Sequence, residues 1–309
     1  MNKDNSEIFV QVGWLGIVYK KDGRIRECES AYFCLITVDD IYGIIFLMKK
    51  VEQELEILKD KLNNSFIDPL PSNVLKNFVL NGSKYIRSVL AIYYLKAQNC
   101  ELSDDIYRIL SVGEMIHNSS LLHDDVIDEA EKRRGKITIA KEFSSKISIL
   151  AGDYLLSEAI EELLVLGNSE IINLFINCAK KMCESELKQF SLREKLPTKE
   201  EYISICEGKT ANLFATVLES CAIIAQLPRE KARLLGKIYG TCFQIKNDFT
   251  SKSVLEDKYN GINTAKDILG IENTLILLDN YKEKIMDLLE DIPANIYKEE
   301  LEGLIESLW

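Results

Sequence analysis

Residues 114–135, EMIHNSSLLHDDVIDEAEKRRG, decide how the chain is read. Glu114, His117, Leu121, Asp124 and Asp128 follow steps of three and four, so one stripe of a helix is mostly acid and imidazole. Met115, Ile116, Leu121, Leu122, Val126 and Ile127 fill the other faces, and their burial would carry the carboxylates into an enclosed space. Asp124 and Asp128, one turn apart, repel by roughly 3 kcal/mol at an effective dielectric near 20 and a separation of about 6 Å. A cation removes that repulsion. Hard oxygen ligands without thiolate or clustered imidazole suit magnesium, which keeps several waters and shares itself with a substrate phosphate. Arg133 and Arg134 follow within two turns as forks for phosphate oxygens, so acid, metal and arginine together describe a diphosphate site. A solvated acidic helix end followed by a basic turn is the plainer alternative. It ranks second because both histidines of the chain, His117 and His123, fall inside this window.

Outward from that stretch, 309 residues suffice for one large domain, or for one domain plus a small appendage. A net charge of −11 argues against a general nucleic-acid binder, so any anion must be held by local basic groups. Eight cysteines without a CxxC pair indicate reduced thiols in a cytosol. The run 31–48 is broken by Asp39 and Asp40, and MNKDNSEIF lacks the plan of a signal peptide; both predict a soluble, cytoplasmic protein. Only a lipid-like product would bring it to a membrane surface.

Residues 1–47 differ from the rest. The β-branched and aromatic runs 8–19 and 31–47, with Lys21-Asp22-Gly23-Arg24 between them, predict a hairpin in an N-terminal extension of unassigned role. From Met48 onward the period is helical, and 48–309 reads as an all-α domain with helices near 48–64, 72–80, 84–98, 104–130, 138–165, 169–193, 199–226, 229–250, 271–291 and 296–308. Thr198 and Glu201 form a capping box. Four further stretches carry chemistry. Lys84 and Arg87 lie at a helix start suited to an anion. Ala151-Gly152-Asp153 offers a small residue for helix contact. Lys209-Thr210 lies in a helical, glycine-poor setting unlike a P-loop. Phe243-Gln244-Ile245-Lys246-Asn247-Asp248 repeats the theme of amide and carboxylate on an apolar helix.

Taken in order, these motifs resemble the trans-isoprenyl diphosphate synthases, the polyprenyl synthetases, from about Met48 to the C-terminus. Asp124-Asp125-Val126-Ile127-Asp128 with Arg133-Arg134 looks like the family's DDxxD and its arginine pair. GSKYIR stands for GGKRxRP, AGDYLL for AGDxLL, ESELKQ for EGExxQ, and Lys209-Thr210-Ala211 for KTA. The resemblance implies an isoprenoid-synthase bundle of antiparallel helices around a central cavity, assembled as a homodimer or as a heteromer with another synthase subunit. It implies a prenyltransferase of isoprenoid biosynthesis that condenses an allylic diphosphate with isopentenyl diphosphate. Asp124, Asp125 and Asp128 would hold Mg2+ on the allylic diphosphate, with Asp248 as a further metal residue. Arg133 and Lys209 would bind the same diphosphate, Gln244 would belong to the catalytic set, and Lys84, Arg87, His117 and Arg134 would bind isopentenyl diphosphate. Ser120 and Ser119, four and five residues before Asp124, are small where short-chain relatives carry aromatic rings, which implies a product longer than farnesyl.

One motif departs from the pattern. Where the family has FQxxDDxxD, this chain has Asn247, Asp248 and Ser251, so two of three carboxylates are missing. The following loop looks about nine residues short before Asp257, and Ile262 replaces the lysine expected after Gly261. Asn ligates magnesium without supplying charge. Two alternatives follow: a weakened partner subunit, or a class I terpene cyclase-like enzyme using Asn247 and Ser251, for which Leu255 and Glu256 fit poorly.

Overall fold

The computed structural model describes residues 8–12, 15–19, 50–81, 83–248 and 262–308. After strands β1 (Ile8–Val12) and β2 (Leu15–Tyr19) come thirteen helices among the described residues. They are α1 (Glu52–Ser65), α2 (Val74–Leu80), α3 (Ile86–Ala97), α4 (Asp104–Ile127), α5 (Ile139–Glu142), α6 (Ser145–Leu166) and α7 (Ser169–Ser191). After them come α8 (Lys199–Cys206), α9 (Asn212–Ile224), α10 (Arg229–Asn247), α11 (Ala265–Leu269), α12 (Ile271–Leu289) and α13 (Ile296–Glu306). The chain is therefore all-α, as its periodicity requires.

Helices α3 and α9 are apolar on nearly every face, and the core closes around them. Val89 through Leu95 of α3 are all buried, as are Leu213 through Ala222 of α9. A helix with no polar stripe has no face to offer water, so others must cover it. Gly236 and Gly240 of α10 let that helix approach α9: a Cβ at 236 would lie 2.7 Å from the Phe214 carbonyl oxygen, and one at 240 would lie 2.6 Å from the Ala211 Cα. Helices α4 and α6 pack along their length. Ser119 donates to the Gly152 carbonyl at 2.8 Å and Ser148 to that of Leu122 at 2.8 Å.

Several expected boundaries shift for local reasons. Within residues 8–19, β1 pairs antiparallel with β2; the expected turn at 21–24 lies outside the described residues. Helix α4 ends at Ile127, not at 130: Asp128 caps it, Glu129 takes a positive φ, and Lys132–Arg133 pairs with Lys136–Ile137 as a miniature hairpin, β3 and β4. The expected helix 138–165 is divided because Ser144 caps α6 by accepting from the Ile147 amide. The expected helix 199–226 contains a π turn over Glu207–Ala211. The Thr198–Glu201 capping box is present as read. The runs 31–47 and 251–261, with Ser251, Leu255, Glu256, Asp257 and Gly261, lie outside the described residues. No described helix is long and apolar enough to cross a membrane.

Candidate active site

The C-terminal end of α4 delivers three carboxylates into three different surroundings. Asp125 is fully buried and accepts from Arg133 Nε at 2.6 Å. Asp128, at the helix cap, accepts from Arg193 Nη2 at 3.0 Å. Asp124 has no hydrogen bond or ion pair among the described residues, although Lys209, Glu186, Asp128 and Arg133 all act on it electrostatically. Burial pushes the Asp124 carboxyl up to about 6; Lys209 opposes this, while Glu186 and Asp128 add to it. Asp128 moves up for the same first reason. A cation placed here would relieve both, which is the test that a magnesium site must meet. No three acid, histidine or cysteine side chains among the described residues form a closed metal cage. An ion here would complete its shell with water and substrate oxygen, the ordinary habit of magnesium.

Lys209 projects from the π turn. Its Nζ lies 2.5 Å from Glu186 Oε2 and 3.2 Å from Gln189 Oε1, both on α7. Burial works against its charge, but Asp124 and Glu186 outweigh burial and hold the ammonium above its ordinary range. Gly208 lets the π turn lie close against α7: a Cβ there would fall 1.9 Å from Ser185 Oγ. Thr210, one step on, donates to Gln244 Oε1 at 2.7 Å.

At the end of α10 the second acidic motif is organised differently. Asp248 is buried and both of its oxygens are engaged: Gln244 Nε2 donates to one at 2.7 Å and the Tyr202 hydroxyl to the other at 2.5 Å. Burial raises its carboxyl to about 6 against the pull of those two donors. Asp128, Gln189, Lys209, Gln244 and Asp248 line one pocket, whose apolar wall includes Leu192 and Ile205. The two acidic motifs thus face a shared space.

A second basic cluster lies beneath. The Arg87 guanidinium stacks over the Phe214 ring, 4.7 Å from Cζ to centroid, and its buried Nε has no hydrogen-bond partner. Burial lowers Arg87 to about 10. Glu114, buried in α4, accepts from Ser88 at 2.7 Å through one oxygen and leaves the other unpartnered. Burial raises the Glu114 carboxyl, with Arg87, Ser88 and Arg134 opposing. His117 is held neutral, first by burial and then by Arg87, Arg134 and Arg133. Arg134 and Lys84 are exposed and have no ion pair among the described residues. Tyr85, where the motif would carry arginine, turns inward, and its hydroxyl donates to the Leu80 carbonyl at 3.0 Å.

His123 lies off the stripe of Glu114, His117, Asp124 and Asp128: its Nε2 lies 3.1 Å from Asp153, and its ring fills the gap left by Gly152. One reading needs correction. Ile127, expected in the core, is 39% exposed. Asp125 gives one oxygen to Arg133 and keeps the other buried without a hydrogen-bond partner, Asp128 is paired with Arg193, and Asp248 has donors on both oxygens; of these four acids Asp124 alone has no side-chain hydrogen bond or ion pair among the described residues. Sequence reasoning named ESELKQ as a motif without giving Glu186 or Gln189 a role, and it passed over Arg193 and Tyr202. Glu186 and Gln189 lie three apart in ESELKQ and so share a helix face, which was a usable signal. Arg193 and Tyr202 gave none, because their partners are 65 and 46 residues away.

A sequence profile of the polyprenyl synthetases matches residues 68–303. The chain is 36% identical over 238 residues to solanesyl diphosphate synthase 1 of Arabidopsis thaliana, covering 72% of this chain and 59% of that one. With a short chain isoprenyl diphosphate synthase of Methanocaldococcus jannaschii it shares 27% identity over 281 residues, 85% of this chain and 81% of the relative. Among solved structures, a polyprenyl synthase from Caulobacter crescentus complexed with calcium and isoprenyl diphosphate superimposes with a TM-score of 0.77 at 21% identity. That match covers 86% of this chain and 97% of the other, and it speaks to the fold.

Proposed function

The chain belongs to the polyprenyl synthetase family of prenyltransferases, and from that premise we propose that it lengthens an allylic diphosphate by condensation with isopentenyl diphosphate. The observation that carries the reading is the meeting of Asp128, Lys209, Gln244 and Asp248 around one pocket, with Asp124 unpaired beside them. Residues 48–309 form the catalytic unit in this reading.

When bound, magnesium would be held by Asp124 and Asp128 and would supply positive charge to the diphosphate leaving group. Lys209, released from Glu186, and Arg133, oriented by Asp125, bind the same diphosphate. Their cationic heads match the negative charge that grows on the leaving oxygen as the carbon–oxygen bond breaks. Arg87, Arg134 and Lys84 take the diphosphate of the acceptor, and neutral His117 offers it a hydrogen bond without adding charge. Leu192, Ile205 and their neighbours exclude water, which would trap the allylic cation as an alcohol. The acceptor's double bond then attacks, and loss of one proton restores the alkene.

Ser119 and Ser120 support a product longer than farnesyl: the first is tied to Gly152 of α6 and the second to its own helix, so neither raises a ring as a floor. A homodimer is supported by the apolar exterior of α6, where Leu150, Leu164 and Val165 are each more than 60% exposed. The partner-subunit alternative rests on Asp248 being fully engaged, which leaves the second motif with little to offer a metal. Purified protein with Mg2+, farnesyl or geranylgeranyl diphosphate and labelled isopentenyl diphosphate separates the readings. Elongated diphosphates support the synthase. Hydrocarbon or alcohol without uptake of label supports a cyclase, and silence relieved by a second chain supports the subunit role.

A further inference from the structure

Arg193 belongs to none of the motifs, yet it pairs with the last acid of the first one. It follows the end of α7 and reaches across to Asp128 at 3.0 Å, with its guanidinium 5.0 Å from the Phe190 ring. Its Nε is buried and has no hydrogen-bond partner. An arginine with an unfilled buried donor is only partly satisfied by the pairing in which it is found. Asp128 also caps α4, whose C-terminal end itself favours a cation, so the arginine stands where a metal would compete for the same charge. Leu192, its neighbour in sequence, lines the pocket together with Lys209 and Asp248. In sequence the second motif carries Asn247 and Ser251 where acids are expected, and Asp248, its remaining carboxylate on the pocket, has both oxygens engaged by Gln244 and Tyr202, so this side has little charge left to retain a metal.

We propose that Arg193 is a further diphosphate-binding residue that exchanges partners. Without substrate it neutralises Asp128; when metal takes Asp128, the guanidinium turns to the diphosphate and supplies fixed positive charge in place of an ion that the altered second motif holds weakly. This rests on the prenyltransferase reading above. Its consequence is that metal and diphosphate bind together better than either binds alone.

Titrating Mn2+ alone, followed by its paramagnetic signal, and then inorganic pyrophosphate in saturating Mg2+, followed by calorimetry, tests the exchange on full-length wild type, Arg193→Gln and Arg193→Lys. Arg193→Gln should bind Mn2+ alone about three- to tenfold more tightly, since a competing charge is gone, and bind pyrophosphate with Mg2+ about tenfold more weakly. Arg193→Lys should stay near wild type for Mn2+ and lose only part of the pyrophosphate affinity. Changes of the same sign in both titrations, or no change in either, would overturn the exchange and leave a simple surface ion pair. A wild-type protein that binds neither ligand would overturn the prenyltransferase reading as well, which distinguishes the two failures. Unchanged thermal melting of the ligand-free variants excludes misfolding as the cause.

Discussion

The two acidic motifs differ in what their carboxylates are doing before any ligand arrives. At the end of α4, Asp124 is unpaired and Asp128 is held by one arginine; at the end of α10, Asp248 is clasped on both oxygens by Gln244 and Tyr202. Both Asp124 and Asp248 are raised to about 6 by burial, so burial alone does not separate them. The difference lies in the partners. A carboxylate left without donors is poised for a cation, whereas one with two donors is part of the scaffold that fixes Gln244 and, through it, Thr210. The molecule teaches that counting acids overstates its metal capacity on one side.

The sharpest way to break this asymmetry is to remove the open acid. Asp124→Asn should lower kcat/KM for condensation by about 10²–10³-fold, the scale at which loss of one preorganised charge partner acts, whereas Asp248→Asn should cost more in stability than in metal affinity. Steady-state kinetics alongside thermal melting measures both. Equal loss of metal affinity in the two variants would mean that the motifs are equivalent after all.

Lys209 links the two sides, because it answers the acids of α4 and α7 from a turn that also positions Gln244. Lys209→Met should reduce activity by roughly 10–10²-fold and destabilise the ligand-free protein by about 1–2 kcal/mol, since Glu186 then faces Asp124 and Asp128 uncompensated in a largely buried setting. Adding Glu186→Gln should recover most of the stability and none of the activity. Chemical denaturation of the single and double variants provides the cycle.

A smaller change sharpens the comparison from the other side. Asn247→Asp should lower the Mg2+ concentration at half-maximal activity by about threefold, the effect of restoring one charge at a partly screened site. An unchanged magnesium dependence would mean that residue 247 does not face the metal.

Much of this was legible in the residues. The i,i+4 spacing of Asp124 and Asp128, the helical period from Met48 onward, and the capping box at Thr198 are all local signals, and local signals survive folding. The rest depended on distance along the chain. Tyr202 reaches Asp248 across 46 residues and Arg193 reaches Asp128 across 65, and a single sequence contains no term for such meetings. His123 was misleading for a related reason: adjacent to Asp124 in sequence, it is turned about 100° around the helix and packs against Gly152. The π turn at 207–211 escaped notice, and the reason for Gly208 lies on another helix, where Ser185 fills the space a Cβ would need.

The smallest expected effect concerns protons. Asp124 and Asp248 titrate near 6 in the fold and near 3.8 as unperturbed carboxyls. A group whose folded value is raised favours the protonated fold, so its contribution is fully present below the unfolded value and is lost as the pH rises through the folded one. The ligand-free protein should therefore melt a few degrees higher at pH 5 than at pH 7, with the change concentrated between about 4 and 6. Asp125, Asp128 and Glu114 are raised in the same direction, and His117, lowered by burial, opposes them. Saturating Mg2+ with inorganic pyrophosphate should remove the part owed to Asp124 and Asp128, because a cation replaces the proton there, and Asp248, committed to Tyr202 and Gln244, should keep its share. Melting curves of wild type, Asp124→Asn and Asp248→Asn, with and without both ligands, separate the two motifs. If ligand abolished the whole pH dependence, Asp248 would have to be a metal ligand too, and the division between the open and the clasped motif would fall.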